Sequence, residues 1–254
     1  MKFPEMQGLI RRRILTNFRV DPKVMQRHLP EPFRPKLLAG AAVAGICLIR
    51  LEQIRPLGLP AIVGLSSENA AHRVAVCWTT PAGEYREGVY IPRRDSNSLA
   101  NHLVGGRLFS GKHHRASFDV HDDGSAIALS MRSRDGQVSL KLATKVRDQL
   151  PSSSKFGSLE EASTFFEKGA LGYSETTRRD HLDGLYLATK DWSMEPLEVL
   201  SVHSSYFEDP SLFPPSSVEF DCALLMRNVY HSWRSMPALR LSSARDRALS
   251  PIGA

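Results

Sequence analysis

Cysteine is scarce in this chain: three in 254 residues, an odd number, with no CxxC spacing. Cys47, Cys77 and Cys222 sit in the apolar contexts GICLI, AVCWT and DCALL. That usage excludes a disulfide framework and reads as reduced core thiols in a cytoplasmic protein. Long apolar runs are missing too. The longest, LLAGAAVAGICLI at 37–49, falls short of the ~18 residues a membrane span needs, so it belongs to a core. The opening MKFPEMQGLIRRR has no apolar stretch ahead of its charges, which excludes a secretory signal. Charge of one sign is weak: 33 basic against 27 acidic residues leave +6, spread along the chain. Its densest points, RRR at 11–13 and the cluster at 112–115, are too short for a nucleic-acid-binding arm. Neither nucleic acid nor membrane is expected as a partner. GxGxxG, GxxxxGKS/T, GxSxG and HExxH are all absent, so no cofactor is expected.

What is present is an ordinary globular composition, 42% apolar and 24% charged, patterned mostly for strands. LIRRRILTNF (9–18) alternates as a first strand, and DPKVMQRHLP (21–30) reads as a short helix with Asp21 as N-cap and Pro22 at its first position. Residues 36–51 read as a strand interrupted near Gly40 and Gly45. AHRVAVCWTT (71–80) and EGVYIPRR (87–94) form a hairpin across PAGEYR, and 96–109 reads as a helix. HHRASFDVH, AIALSMRS and QVSLKLATKV, joined by DDG and RDG, predict a three-strand meander. SLEEASTFFEKG is a capped helix with a Ser158/Glu161 box. Further strands are expected at 184–190, 196–206 and 218–233, with HLDG (181–184) as a turn and Asp183 as its cap. About ten strands and no repeat predict one mainly β domain over 1–237, a closed antiparallel sheet, followed by a polar tail at 238–254.

The chemistry concentrates in GRLFSGKHHRASF (106–118). Of nine histidines only His113 and His114 are adjacent, and neighbours on a strand point to opposite faces, so no metal site is expected. If 112–118 is extended, Lys112, His114 and Ala116 share one face and His113, Arg115 and Ser117 the other. Lys112 and His114 then lie roughly 6.6 Å apart along the strand. Phe118 and Val120 continue the Lys112/His114 face, which makes it the inward one. Buried charge needs a partner; an anionic ligand or Glu68 would serve, whereas a solvated basic turn needs neither. Glu68, in GLSSENAAHRV, shares the parity of Val74, Val76 and Trp78, with Arg73 opposite. It is either a site acid or an exposed strand-start residue. Trp78, Trp192 and Trp233 read as core.

The order of SSEN, GVYIPRR, a capped helix and GRLFSGKHHRASF resembles the acetoacetate decarboxylase-like superfamily. FFEKGALGYSETTRRDHLDGLYLATKDW, VLSVHSSYFEDPSLFP and FDCALLMRNVYHSW resemble its YqjF-like branch, DUF2071, so that the likeness spans about 9–237. The resemblance implies a β-barrel or cone around an apolar cavity, in a homo-oligomer. In acetoacetate decarboxylases a cavity lysine of lowered pKa forms a Schiff base with a β-keto acid, and a glutamate organises the site. Laid on this sequence, Gly106, Arg107 and Gly111 match the motif, its proline falls on His113, the Schiff-base lysine on His114 and the next lysine on Arg115. Glu68 stands in the glutamate's place. Imidazole cannot form an imine, so true acetoacetate decarboxylation is not expected; Lys112 is the one residue that would restore it. Two readings follow: a small-molecule-binding protein for a carbonyl or carboxylate compound, or a lyase, isomerase or dehydratase using His114 as general acid/base with Glu68. Arg115, His113 and Arg73 are the candidate substrate-binding residues. A third, nucleic acid on a basic surface, is disfavoured by the same resemblance.

Overall fold

The computed structural model describes residues 4–98, 111–177 and 180–241. The helix expected at 96–109 and the motif residues Gly106 and Arg107 fall outside these, apart from the helix's first three positions. Among the described residues are thirteen strands. They are β1 (Met6–Val20), β2 (Arg34–Pro35), β3 (Leu37–Leu38), β4 (Ala41–Pro56), β5 (Leu65–Thr79), β6 (Tyr85–Ser96) and β7 (His113–Asp122), then β8 (Ala126–Ser133), β9 (Ser139–Val146), β10 (Leu171–Glu175), β11 (His181–Thr189), β12 (Glu195–Ser204) and β13 (Val218–Arg240). Two α-helices, α1 (Pro22–Gln26) and α2 (Leu159–Lys168), accompany them.

Local signals act as written. Asp21 accepts from the N–H groups of Lys23 and Val24 and starts α1 with Pro22 inside it. Ser158 Oγ accepts from Glu161 N–H at the start of α2. The Glu161 carboxylate reaches one residue further back than in a standard capping box, to Gly157 N–H at 2.6 Å. The hairpin β5–β6 and the meander β7–β8–β9 are antiparallel as patterned.

The sheet closes twice. One ring runs β5–β6–β7–β8–β9–β12–β13–β1–β4 and back to β5. A second uses β6–β10–β11–β13 and returns through β1, β4 and β5. Nine strands form the first, seven the second, and β1, β4, β5, β6 and β13 belong to both. Two pairings, β6 with β7 and β6 with β10, are parallel, the exceptions to the expected antiparallel order.

This sharing explains the Ala- and Gly-rich run at 37–49. A strand covered on both faces reads as a continuous apolar stretch rather than an alternating one. β4 is buried at every position from Ala42 to Ile49. The chain turns at Ala39–Gly40, but Gly45 does not interrupt the strand. A Cβ there would lie 2.1 Å from the Thr16 carbonyl oxygen on β1, so glycine is what lets the two strands meet.

Two cores follow. One, with Ile14, Phe33, Ile46, Leu48, Trp78 and Leu140, gathers the inner side chains of the nine-strand ring. The other, with Leu15, Cys47, Ile91, Phe166 and Leu224, lies across the wall and takes in α2. Three expectations need correction. LGYSE, unremarked as a strand, is β10. HLDG is no turn: His181 starts β11, and Asp183 lies inside it with its carboxylate accepting Gly111 N–H at 3.3 Å. β13 continues past 233 to Arg240, beyond the expected start of the tail.

Candidate functional site

β5 shows how alternation divides the chemistry. His72 and Val74 point into the filled lumen of the nine-strand ring, and Ala71 and Arg73 to the other face. There, a cavity of about 110 Å³ is lined from all seven strands of the second ring: Arg13 of β1, Cys47 of β4, Arg73 of β5, Ile91 and Arg94 of β6, Gly172 of β10, Leu185 and Leu187 of β11 and Trp233 of β13. His113 at the start of β7, Asn69 and Asp95, whose carboxylate is taken by Arg93, complete its polar lining. At ~10–15 Å³ per water of such space, it holds roughly seven to eleven waters, or one small organic molecule.

Three guanidiniums face this space. Arg13 donates through Nε to Cys47 Sγ at 3.4 Å and through Nη1 to Met226 Sδ at 3.8 Å, and lies over the Trp192 ring at 5.4 Å. Arg73, 4% exposed, hydrogen-bonds Asn17 Oδ1 and sits over the Phe166 ring at 4.8 Å. Its Nε–H has no acceptor among the described residues. Arg94 donates to Ser174 Oγ at 3.0 Å. Burial pulls Arg73 and Arg94 down to about 10, still cationic at neutral pH. Among the described residues none of the three has a carboxylate within ion-pair distance, whereas Arg12, Arg93 and Arg227 all do. Uncompensated cations in an apolar wall are costly unless an anion joins them.

Of the expected site residues, His113 and Arg73 line this cavity. Parity had put both on the outward face, and that face proves to be the wall of the second lumen. His114 lies on the opposite face with Ala116 and Phe118, as alternation requires. Its Nδ1 is 2.9 Å from Asp135 Oδ2. Asp135 also receives Arg93 Nη2 and the Ser133 hydroxyl. Partial burial pushes its pKa up, but the hydrogen bonds from Ser133 and Arg93 prevail and hold it well below the usual carboxylate range. Arg93 in turn clamps the buried Asp95 through Nε and Nη2, both at 2.9 Å.

Glu68 is buried, not an exposed strand start. It accepts from Arg12 Nη2 at 2.8 Å, and Arg12 lies 3.7 Å from Asp122, which Arg227 grips with both terminal nitrogens. Burial raises the Glu68 carboxyl against the opposing pull of Arg12. Glu68 and His114 therefore hold different partners in separate networks. Lys112 is exposed and precedes β7, with its N–H on the Glu175 carbonyl. The inward placement expected for it fails because the chain leaves the pleat at Gly111 (φ +95°), where parity stops applying. A Cβ on Gly111 would come within 2.7 Å of Ser174 Cβ, so the turn is packed as well as bent. Arg115 is half-buried beside Ser96 and does not line the cavity. Arg13 and Arg94 escaped the sequence reading, although RRR inside an alternating strand was the available signal: Arg12 and Arg13 serve opposite faces. Among the described residues no three His, Cys, Asp or Glu side chains converge as a metal set, and no helix is long and apolar enough to cross a membrane.

The model of DUF2071, an uncharacterized conserved protein family, matches residues 9–225. The chain belongs to the DUF2071 family. A comparison with curated proteins finds no match. Among solved structures, this DUF2071 chain resembles the acetoacetate decarboxylase of Legionella pneumophila, at 13% identity over 93% of this chain and 88% of that one, with a TM-score of 0.56. An acetoacetate decarboxylase-like enzyme from Sphingomonas wittichii RW1 gives 15% identity, 94% and 93% coverage and a TM-score of 0.58. The enduracididine biosynthesis enzyme MppR, complexed with pyruvate, gives 12%, 94% and 90%, and 0.54. At these identities the likeness establishes the fold alone: this DUF2071 member has an acetoacetate decarboxylase-like fold.

Proposed function

We propose that this chain binds a small carboxylate or carbonyl acid in the cavity of the seven-strand ring, with Arg13, Arg73 and Arg94 holding the carboxylate and His113 beside it. The observation that carries the reading is the set of three guanidiniums sharing one largely apolar space with, among the described residues, no carboxylate within ion-pair distance of them, since Asp95 on the same wall is held by Arg93. A bound anion supplies the missing charge and accepts the free Nε–H of Arg73. The pyruvate held by MppR, a protein of the same fold, is of the same chemical class. Among the described residues no lysine lines the cavity, so the reading assigns it no Schiff-base step. A lyase-type reaction here would draw on His113 as acid/base, since His113 and not His114 shares the cavity with the arginines. The reading includes a homo-oligomer, for which the exposed Leu57, Leu59, Ile62 and Val63 offer surface, and a cytoplasmic setting that suits three free thiols.

The test is a thermal-shift and calorimetric series with small 2-oxo and β-keto acids against their uncharged amides. The acids should stabilise the protein and the amides should not, with the effect reduced at least tenfold in Kd by Arg94→Gln. Equal shifts from acids and amides would sink the reading.

A further inference from the structure

Among the described residues the cavity wall holds one thiol, Cys47, and no serine, threonine, tyrosine or lysine side chain lines it. Its surroundings differ from those of the other buried cysteine. Cys222 packs in the same core but does not line the cavity, and burial and the neighbouring Asp221 carboxylate push its thiol up to about 12. Cys47 faces the cavity's cations. Arg13 Nε–H points at its sulfur from 3.4 Å, and the charges of Arg73 and Arg94 are both within electrostatic reach of it. The buried Arg73, with its unsatisfied Nε–H, lines the same space. A thiol that faces the cavity beside these guanidiniums is placed to act as a nucleophile toward whatever they hold.

We propose that Cys47 is a nucleophile that adds to an α,β-unsaturated carbonyl acid bound in this cavity. The inference rests on the anion-binding reading above: the arginines hold the carboxylate and so bring the electron-poor alkene to the sulfur. The thiol proton leaves as the thiolate forms. A carbon–sulfur bond forms at the β-carbon, the alkene electron pair moves to the α-carbon as an enolate, and the enolate takes up one proton. Nothing is oxidised or reduced and no group departs, so the adduct carries the whole mass of the acid. His113, which lines the same cavity, is the residue placed to move that proton.

β-Acetylacrylate, a small unsaturated keto acid, is the probe, with its methyl ester as the uncharged control. The purified full-length protein is incubated with each and the site of addition mapped by peptide mass spectrometry. Wild type should add intact β-acetylacrylate at Cys47 at least tenfold faster than the ester. Cys47→Ser should form no adduct at any concentration of the acid that it still binds by calorimetry, and Arg94→Gln should bring the two rates toward equality. Equal rates of acid and ester at Cys47 of wild type overturn both the anion-binding reading and this one. No adduct at Cys47, in a protein that does bind small acids by calorimetry, overturns the nucleophile alone.

Discussion

The two lumens of this molecule are built from the opposite faces of the same five strands, and they are filled by opposite means. The nine-strand ring is packed with rings: Phe18 stacks on Phe207 at 4.3 Å, Phe33 meets Trp78 edge-on at 5.3 Å, and Tyr206 and Phe213 close the cluster at 5.7 Å. The seven-strand ring keeps open space and lines it with arginines. One lumen therefore supplies apolar stability, and the other accepts unfavourable charge. Neighbouring residues make the contrast: His72 on one side packs against Tyr206 at 4.5 Å, and Arg73 on the other faces the cavity.

The comparison can be broken at its filled side first. Phe33→Ala removes a fully buried ring and should cost about 3–5 kcal/mol, read as a lower denaturant midpoint. The protein that remains folded should bind small acids with unchanged Kd. A similar loss of affinity would mean that the lumens are not separable.

Acid should weaken both sides together. Burial pushes His72 down to about 3 and His231, which packs at 4.4 Å on the cavity residue Trp233, to about 4. In the unfolded chain both titrate near 6.5, so below that pH the unfolded state takes up protons that the folded state refuses. Stability is thus present above pH 6.5 and fades as pH falls toward 4. Each imidazole should contribute about 2 kcal/mol of loss between pH 7 and 5. His72→Phe should remove about half of that slope in urea melts run across this range, and an unchanged slope would refute the assignment.

Glu68→Gln tests the charge chain that bridges the walls. Arg12 loses its near carboxylate and keeps only Asp122 at 3.7 Å, so about 1–3 kcal/mol of destabilisation is expected by chemical denaturation. If Glu68 instead serves the ligand, binding will fall and stability will not. The smallest effect should have the opposite sign. Arg94→Met removes a cation without a carboxylate partner, and should leave stability unchanged or raise it by up to about 1 kcal/mol while weakening acid binding. A melting temperature several degrees lower would show that Arg94 is structural.

What the sequence disclosed follows the range of the forces involved. Hairpin, meander and both helix starts rest on contacts a few residues apart, and DDG, RDG, Asp21 and Ser158 announce them. The ring closures rest on pairings between distant segments. The parallel docking of β6 against β7 and β10 leaves no local mark, and LGYSE is too short to show a period. At the site, His113 and Arg73, candidate substrate-binding residues that parity puts on the outward face, line the cavity: parity tells which residues share a face, not that both faces of a strand are enclosed. Arg13 and Arg94 stayed hidden for the same reason. Their neighbours in sequence, Arg12 and Arg93, make the ion pairs that an arginine in a strand is ordinarily expected to make.

The 23 residues of β13 have a consequence for how the molecule comes apart. Its first part pairs with β12 and its last with β11, while β1 runs beside it from Val218 to Trp233. Neither ring can open without stripping hydrogen-bond partners from this one strand. Amide protons on β1, β4 and β13 should therefore exchange with solvent as a single slow group, released only when the whole chain unfolds. A molecule with two differently filled lumens should then melt as one.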